Sequence, residues 1–355
     1  MNYTKYIFTP GPVKMHKYTL KIGAKQTPYF RNEEFSQVML GCEDLLLKFS
    51  NAPEGSRVIF LTASGTAGMQ AVVDNLLSQD DKSYVINGGG FGDRFVQILH
   101  KSDLSFTQRR VDKNDNLKDI KNETINNHTT LIYNAHETTI GLKYNLKSLG
   151  IFAKNSGLFN IVDAISLFLT DKIDMQKDNI DTMIISSQKA LALPPGLCMV
   201  ILTPKAIKRL NDVQNIYFDF KEYLKDGVRG QTPYTPAVTI ILQLQKRLQK
   251  IDKKGLLKEI LKKEKLANYF RKKIEHLPIK PYTEYMPNAM STFEVKDASD
   301  VVNDIEKMYN IVLCPNAGEL KDKVFRVSHM GAINKKDIDY LVESLDNYFS
   351  KKVIR

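Results

Sequence analysis

Ile184-Ile185-Ser186-Ser187-Gln188-Lys189-Ala190-Leu191 closes a short apolar run on a lysine. The run, Met183 to Ser187, has the length and composition of a buried strand. A lysine at its end is partly withdrawn from water; such an amine sheds its proton more readily and can then form an imine with an aldehyde. Upstream, Ile161-Val162-Asp163-Ala164 ends a second run, Phe159 to Ala164, on an acid 26 residues before Lys189. An Asp in so apolar a setting is expensive to bury unless a cation meets it. A protonated pyridine nitrogen is one such cation, and the ion pair keeps that ring electron-withdrawing, as carbanion chemistry requires. Each residue alone also has an ordinary reading, as a surface cation and a strand-end acid.

Four more runs read as strands: Val58 to Ala63, Ser83 to Asn87, Thr130 to Ala135 and Met199 to Thr203. Helix-period segments such as Ala67 to Leu77 and Leu146 to Asn155 lie between them. This alternation predicts an α/β fold, a mostly parallel central sheet flanked by helices. Ligands of such sheets gather at the carboxyl ends of the strands, so the residues after each strand matter most. After the first comes Ala63-Ser64-Gly65-Thr66-Ala67-Gly68, a phosphate cradle at a helix start or a plain N-cap with a tight turn. After the second, Gly88-Gly89-Gly90-Phe91-Gly92-Asp93-Arg94 sets one aromatic among four glycines. Phe91 could stack on a planar ring or plug the core; the G-x-G-x-x-G register of a dinucleotide fingerprint is missing. Asn134-Ala135-His136-Glu137-Thr138-Thr139-Ile140-Gly141 crowds polar groups at a third strand end. His136 has no second His or Cys at ligand spacing, so no metal site is expected.

From Ala237 a long helical stretch runs to about His276, followed by a strand (Ser291 to Val295), a helix (Ala298 to Tyr309), a strand (Val324 to Ser328) and a helix (Lys335 to Phe349). The expected division is a large domain over 1–250 and a smaller C-terminal α+β domain over 251–355.

The chain of 355 residues, 43% hydrophobic and 26% charged, has the composition of a globular protein. It holds no apolar run long enough to span a bilayer, and Met1 to Val13 carries no basic and apolar leader pattern. Three distant cysteines, Cys42, Cys198 and Cys314, argue against a disulfide framework. A cytoplasmic location is expected. The net charge of +11 raises nucleic-acid binding as a rival. However, much of the excess sits between Lys246 and Lys280 at helical spacing, the pattern of a solvated helix face. No nucleic-acid or membrane partner is therefore expected.

Taken together, the strand-end residues resemble the class V aminotransferases of the fold-type I pyridoxal-phosphate (PLP) family, over nearly the whole chain. The patterns most alike are alanine–glyoxylate or serine–pyruvate and 2-aminoethylphosphonate–pyruvate aminotransferases. Phe8-Thr9-Pro10-Gly11-Pro12 is similar to the Thr-Pro-Gly-Pro that borders the family's substrate pocket, implying Gly11 as a substrate contact. The resemblance implies Ser64, Gly65 and Thr66 at the cofactor phosphate, Phe91 stacked on the ring, and Thr138 near the phenolic oxygen. It also implies Asp163 at the pyridinium nitrogen, Gln188 before the cofactor-bound Lys189, and Arg326 on the substrate carboxylate. Gln231-Thr232-Pro233-Tyr234-Thr235-Pro236 looks like the segment that reaches the neighbouring subunit's phosphate, implying Thr232 and Thr235 as cofactor contacts in a homodimer. Phe91 replaces the usual Trp or Tyr, and Ile140 stands where Thr is usual.

The activity so implied moves an amino group from a small donor (alanine, serine or a 2-aminoethylphosphonate-like amine) to a small 2-oxo acid, pyruvate or glyoxylate. Lys189 would serve as general base and acid. A cysteine desulfurase shares the fold and would use a nucleophilic cysteine; Cys314 lies twelve positions before Arg326 but directly after an apolar strand, which favours a buried structural thiol. Gln188 also stands where desulfurases tend to carry His. A basic, non-enzymatic nucleic-acid-binding protein would explain the charge but not Asp163 and Lys189.

Overall fold

In the computed structural model, which describes residues 6–123 and 125–353, seven strands form the main sheet. Their spatial order is Arg57–Leu61, Cys198–Leu202, Thr182–Ser186, Phe159–Asp163, Thr130–Asn134, Lys82–Asn87 and Ser105–Arg110. Cys198–Leu202 is antiparallel to both neighbours and every other pairing is parallel. The carboxyl ends of the remaining strands therefore share one edge. Ser105–Arg110 was not expected: SFTQRR has no fully buried position, with only Phe106 and Arg109 half-buried, the character of a polar edge strand rather than an apolar run.

Both faces of the sheet are covered, which is why the central strands read as unbroken apolar runs. Leu131, Tyr133, Val162, Met183, Ile185 and Met199 pack on one face with residues of helices Glu33–Ser50 and Val238–Lys254. Ile59, Ile132, Ile161, Ile184 and Val200, one position out of phase, pack on the other with helices Gly65–Leu76 and Gly90–Lys101. Helix Gly65–Leu76 lies flush on its face: a Cβ on Gly68 would fall 2.3 Å from Cys198 Sγ. That closeness sets where the helix N-terminus meets the strand ends.

A second core, around Phe270, Phe293, Phe325, Ile305 and Leu341, sits on a four-stranded antiparallel sheet. Its order is Lys280–Pro281, Met290–Glu294, Val324–Ser328 and Cys314–Pro315. The start of the described chain joins this half: Tyr6–Ile7 pairs in parallel with Ile311–Val312, and Phe8 is buried in the second core. The long helical stretch after Ala237 is two helices, Val238–Lys254 and Leu256–Lys273, broken at Gly255 with φ +91°. Residues with a Cβ rarely adopt that backbone, so Gly255 ends one helix and lets the next fold back.

The flush seat of Gly68 is testable. Gly68→Ala should lower unfolding stability by about 1–3 kcal/mol through overpacking, and Cys198→Ala in the same chain should restore part of it. Urea denaturation of the two variants measures both effects.

Candidate active site

Asp163 ends its strand opposite Asn134, the last residue of the neighbouring strand. The Asn134 amide donates to Asp163 Oδ2 at 2.6 Å and the Ile165 N–H donates to Oδ1 at 2.8 Å. The carboxyl group is buried, and burial pushes it up to about 6 against the pull of those hydrogen bonds and of Lys189. Among the described residues no cationic side chain forms an ion pair with it. This is a preorganised acid with one side still owed a positive partner.

Lys189 lies in the turn after Thr182–Ser186, whose strand is hydrogen-bonded to that of Asp163. Burial lowers its amine to about 8, with the Asp163 charge opposing and Arg326 reinforcing the drop. The turn is tied internally: Ser187 Oγ donates to Pro194 O at 2.6 Å and Ala192 N donates to Lys189 O at 2.8 Å. Gln188 Oε1 accepts from Ser186 Oγ. Residue 11 has φ +151° and its backbone presses on the lysine stem, where a Cβ would stand 2.9 Å from Lys189 Cδ. Gly11 is thus needed for the N-terminal strap to cover Lys189 at contact distance.

Ser64 caps helix Gly65–Leu76, its Oγ accepting from Ala67 N, and Ser64 and Thr66 are exposed at that end. Such a terminus favours an anion. The glycine run opens a second helix, Gly90–Lys101, with Phe91 in its first turn and 37% exposed. Here the structure shows a role that spacing could not: the buried Glu137 carboxylate accepts from Phe91 N at 3.2 Å, Gly92 N at 3.1 Å and Thr139 N at 2.9 Å. A Cβ on Gly88 would strike Tyr144 Oη at 2.2 Å and one on Gly89 would crowd Glu137. The glycines let the backbone close over Glu137, and that acid fixes both Phe91 and Thr139.

Arg326 donates through Nη1 to Thr138 O at 3.1 Å and through Nη2 to Pro315 O at 2.5 Å; its buried Nε has no partner among the described residues. Thr138 Oγ1 donates to Ser166 Oγ at 2.9 Å. His136 is buried over Ser166 O, and burial pushes its ring down to about 3, so it is neutral. Cys314 is not the fully buried thiol expected: it is half-buried, in register with Arg326, and feels the charges of both Arg326 and Lys189. Burial nonetheless pushes the thiol up, the wrong direction for a nucleophile.

The Thr232 segment is tied to other parts of the chain. Arg31 donates to Thr232 O at 2.8 Å and Pro233 O at 3.1 Å, Thr232 Oγ1 donates to Tyr234 O, and Thr235 is exposed. No described hydrogen bond joins Thr232 or Thr235 to Lys189 or Asp163. Among the described residues no group of His, Cys, Asp and Glu could hold a metal ion, and no helix is long and apolar enough to cross a membrane.

The model of the family Aminotransferase class-V matches residues 14–313, and the chain belongs to that family. It is a transaminase whose cofactor is PLP. It is 27% identical to an uncharacterized aminotransferase of Methanocaldococcus jannaschii over 94% of this chain and 90% of that protein. Identity to the serine–glyoxylate aminotransferase of Arabidopsis thaliana is 25%, over 93% of this chain and 86% of that one. The structure of an aspartate aminotransferase from Thermus thermophilus superposes with TM-score 0.89 at 26% identity, covering 96% of this chain and 99% of that one.

The residues present fit the cofactor. Asp163 lacks a cation where a pyridinium would supply one, Lys189 is an amine of lowered basicity, and a capped helix end accepts an anion.

The raised Asp163 carboxyl has a stability consequence with a defined sign. In cofactor-free protein the folded chain holds that proton up to about pH 6, while the unfolded chain releases it near 3.8. Asp163 therefore costs nothing below the unfolded value and progressively destabilises the fold as pH rises to 6, by on the order of 3 kcal/mol. Asp163→Asn should raise the thermal midpoint of cofactor-free protein at pH 7 yet weaken PLP binding. Calorimetry with and without PLP reads both changes.

Proposed function

We propose that this chain transfers an amino group between a small amino donor and a small 2-oxo acid at the cluster of Lys189, Asp163 and Arg326. The observation that supports this most is the buried acid at one strand end facing the charge of a buried amine at the next, with a guanidinium in the same electrostatic neighbourhood. PLP, when bound, supplies the aldehyde that captures the donor's nitrogen and a ring that takes up the electrons left by the departing α-proton.

In this reading Lys189 Nζ holds the cofactor. As a free amine it would remove the donor's α-proton and return it; an amine lowered to about 8 is suited to both tasks near neutral pH. Asp163 keeps the ring nitrogen protonated, and Asn134 aims the carboxylate. Ser64, Gly65 and Thr66 take the phosphate, Phe91 covers the ring, and Thr138 and Gln188 complete the cofactor's surroundings. Arg326, its guanidinium oriented by two backbone carbonyls, takes the substrate carboxylate, and Gly11 borders the same space. The donor is alanine, serine or a 2-aminoethylphosphonate-like amine, and the acceptor pyruvate or glyoxylate. The glyoxylate in the name of the Arabidopsis relative supports that choice.

The exposed Thr235 and the pinned Thr232 segment suit contact with a second copy, so the working form is a homodimer with shared sites, and the location cytoplasmic. The partition is a large domain over 1–250 and a small one over 251–355, with Tyr6–Phe8 packed on the latter.

Borohydride reduction of purified protein should fix a phosphopyridoxyl mass on the peptide containing Lys189. Lys189→Ala should lose both that adduct and turnover. Arg326→Lys should lower kcat/KM by roughly tenfold to a hundredfold, through loss of bidentate carboxylate binding. An adduct on another lysine, or unimpaired turnover by Lys189→Ala, would overturn the assignment.

A further inference from the structure

The basic stretch from Lys246 to Lys280, expected as a solvated face, hides three charged side chains. Arg247, Glu259 and Lys263 are 3%, 8% and 1% exposed. From helix Val238–Lys254, Arg247 donates through Nε to Leu191 O at 3.2 Å and through Nη2 to Ala190 O at 3.3 Å. These are the two carbonyls directly after Lys189. The same guanidinium pairs with Glu259 on helix Leu256–Lys273, across the break at Gly255. One turn further along, Lys263 donates to Gly331 O in the turn that follows the Arg326 strand. Gly331 in turn sits on the N-terminal strap, where a Cβ would stand 2.6 Å from Lys14 O.

Resting on the reading of Lys189 as the cofactor lysine, we propose that Arg247 is a positioning residue for Lys189. It fixes the backbone that follows the lysine while Gly11 confines the stem, and Glu259 holds the guanidinium to its task. Buried carbonyls need partners, but neutral donors satisfy them at less desolvation cost than a buried ion pair. A guanidinium is the side chain able to reach two successive carbonyls and a carboxylate together, through its rigid fork of donors. Its placement on the two carbonyls directly after the lysine, rather than elsewhere in the core, points to geometry at the lysine. Small misplacements of a reacting group cost rate rather than binding.

The test uses PLP-loaded Arg247→Met, Arg247→Lys and Glu259→Gln. The readouts are the pH midpoint of the cofactor's visible band, kcat and KM separately, and thermal midpoints with and without PLP. Arg247→Met should move the band's pH midpoint by roughly half a unit or more. It should also lower kcat about tenfold to a hundredfold with KM within about threefold. Glu259→Gln should shift both in the same direction by less, and Arg247→Lys should recover part of the loss. Folded variants with a wild-type band midpoint and kcat, losing only equal thermal stability with and without PLP, would reduce Arg247 to a structural role and overturn the proposal. Should Arg247→Met fail to fold, Glu259→Gln decides by the same criteria. Absence of a borohydride-sensitive band in wild-type protein would instead defeat the cofactor-lysine reading itself, and the proposal with it.

Discussion

Withdrawing a carboxylate and an amine from water at adjacent strand ends is the constraint from which the rest of this molecule follows. Either group alone would shed its charge: Asp163 moves upward and Lys189 downward because burial penalises each ionised form. Each offsets part of the other's penalty, and hydrogen bonds from Asn134 and Ile165 offset more for the acid. What remains is stored at one edge of a sheet rigid enough to keep it. The parallel strands supply that edge, and the double covering of the sheet supplies the low dielectric that makes the arrangement costly and reactive.

Around this pair the site is built by close approach. Gly11 against the lysine stem, Gly68 against Cys198 and the glycine run over Glu137 and Tyr144 all place backbone where a side chain would collide. Glu137 organises this side of the site without hydrogen-bonding Asp163 or Lys189. Its two oxygens gather N–H groups from residues 91, 92 and 139, so one carboxylate sets the height of Phe91 and the path of the Thr138 segment. The aromatic and the threonine are thus mechanically one unit, although they are far apart in the chain.

Much of this was legible in the sequence. Short apolar runs marked six strands of the main sheet, because burial on both faces removes alternation, and the acid and lysine stood out as misfits at the ends of two runs. The polar edge strand Ser105–Arg110 lacked that signature and was missed, and the antiparallel course of Cys198–Leu202 leaves no trace in composition. The Lys-rich helices misled in a different way. Periodicity read the whole Lys246–Lys280 stretch as a wet face because it counts charge types and cannot see the two helices fold together at Gly255, burying Arg247 of one and Glu259 and Lys263 of the other. Partners such as Glu137 with Phe91, or Arg31 with Thr232, join distant residues through tertiary packing, which no local spacing encodes.

The strand Tyr6–Ile7 carries one more implication, for the order in which the molecule comes together. Its partner is Ile311–Val312, and Phe8 O is bonded by Ser328 N, so the strap over Lys189 lacks its strand pairing until residues 311–328 have been made. Residues 6–12 are made long before residues 311–328 and cannot complete these pairings until then. The large sheet can form its strand pairs meanwhile, but the strap over Lys189 closes late, through long-range contacts. Complete docking of the strap is therefore withheld from any product truncated before Ser328.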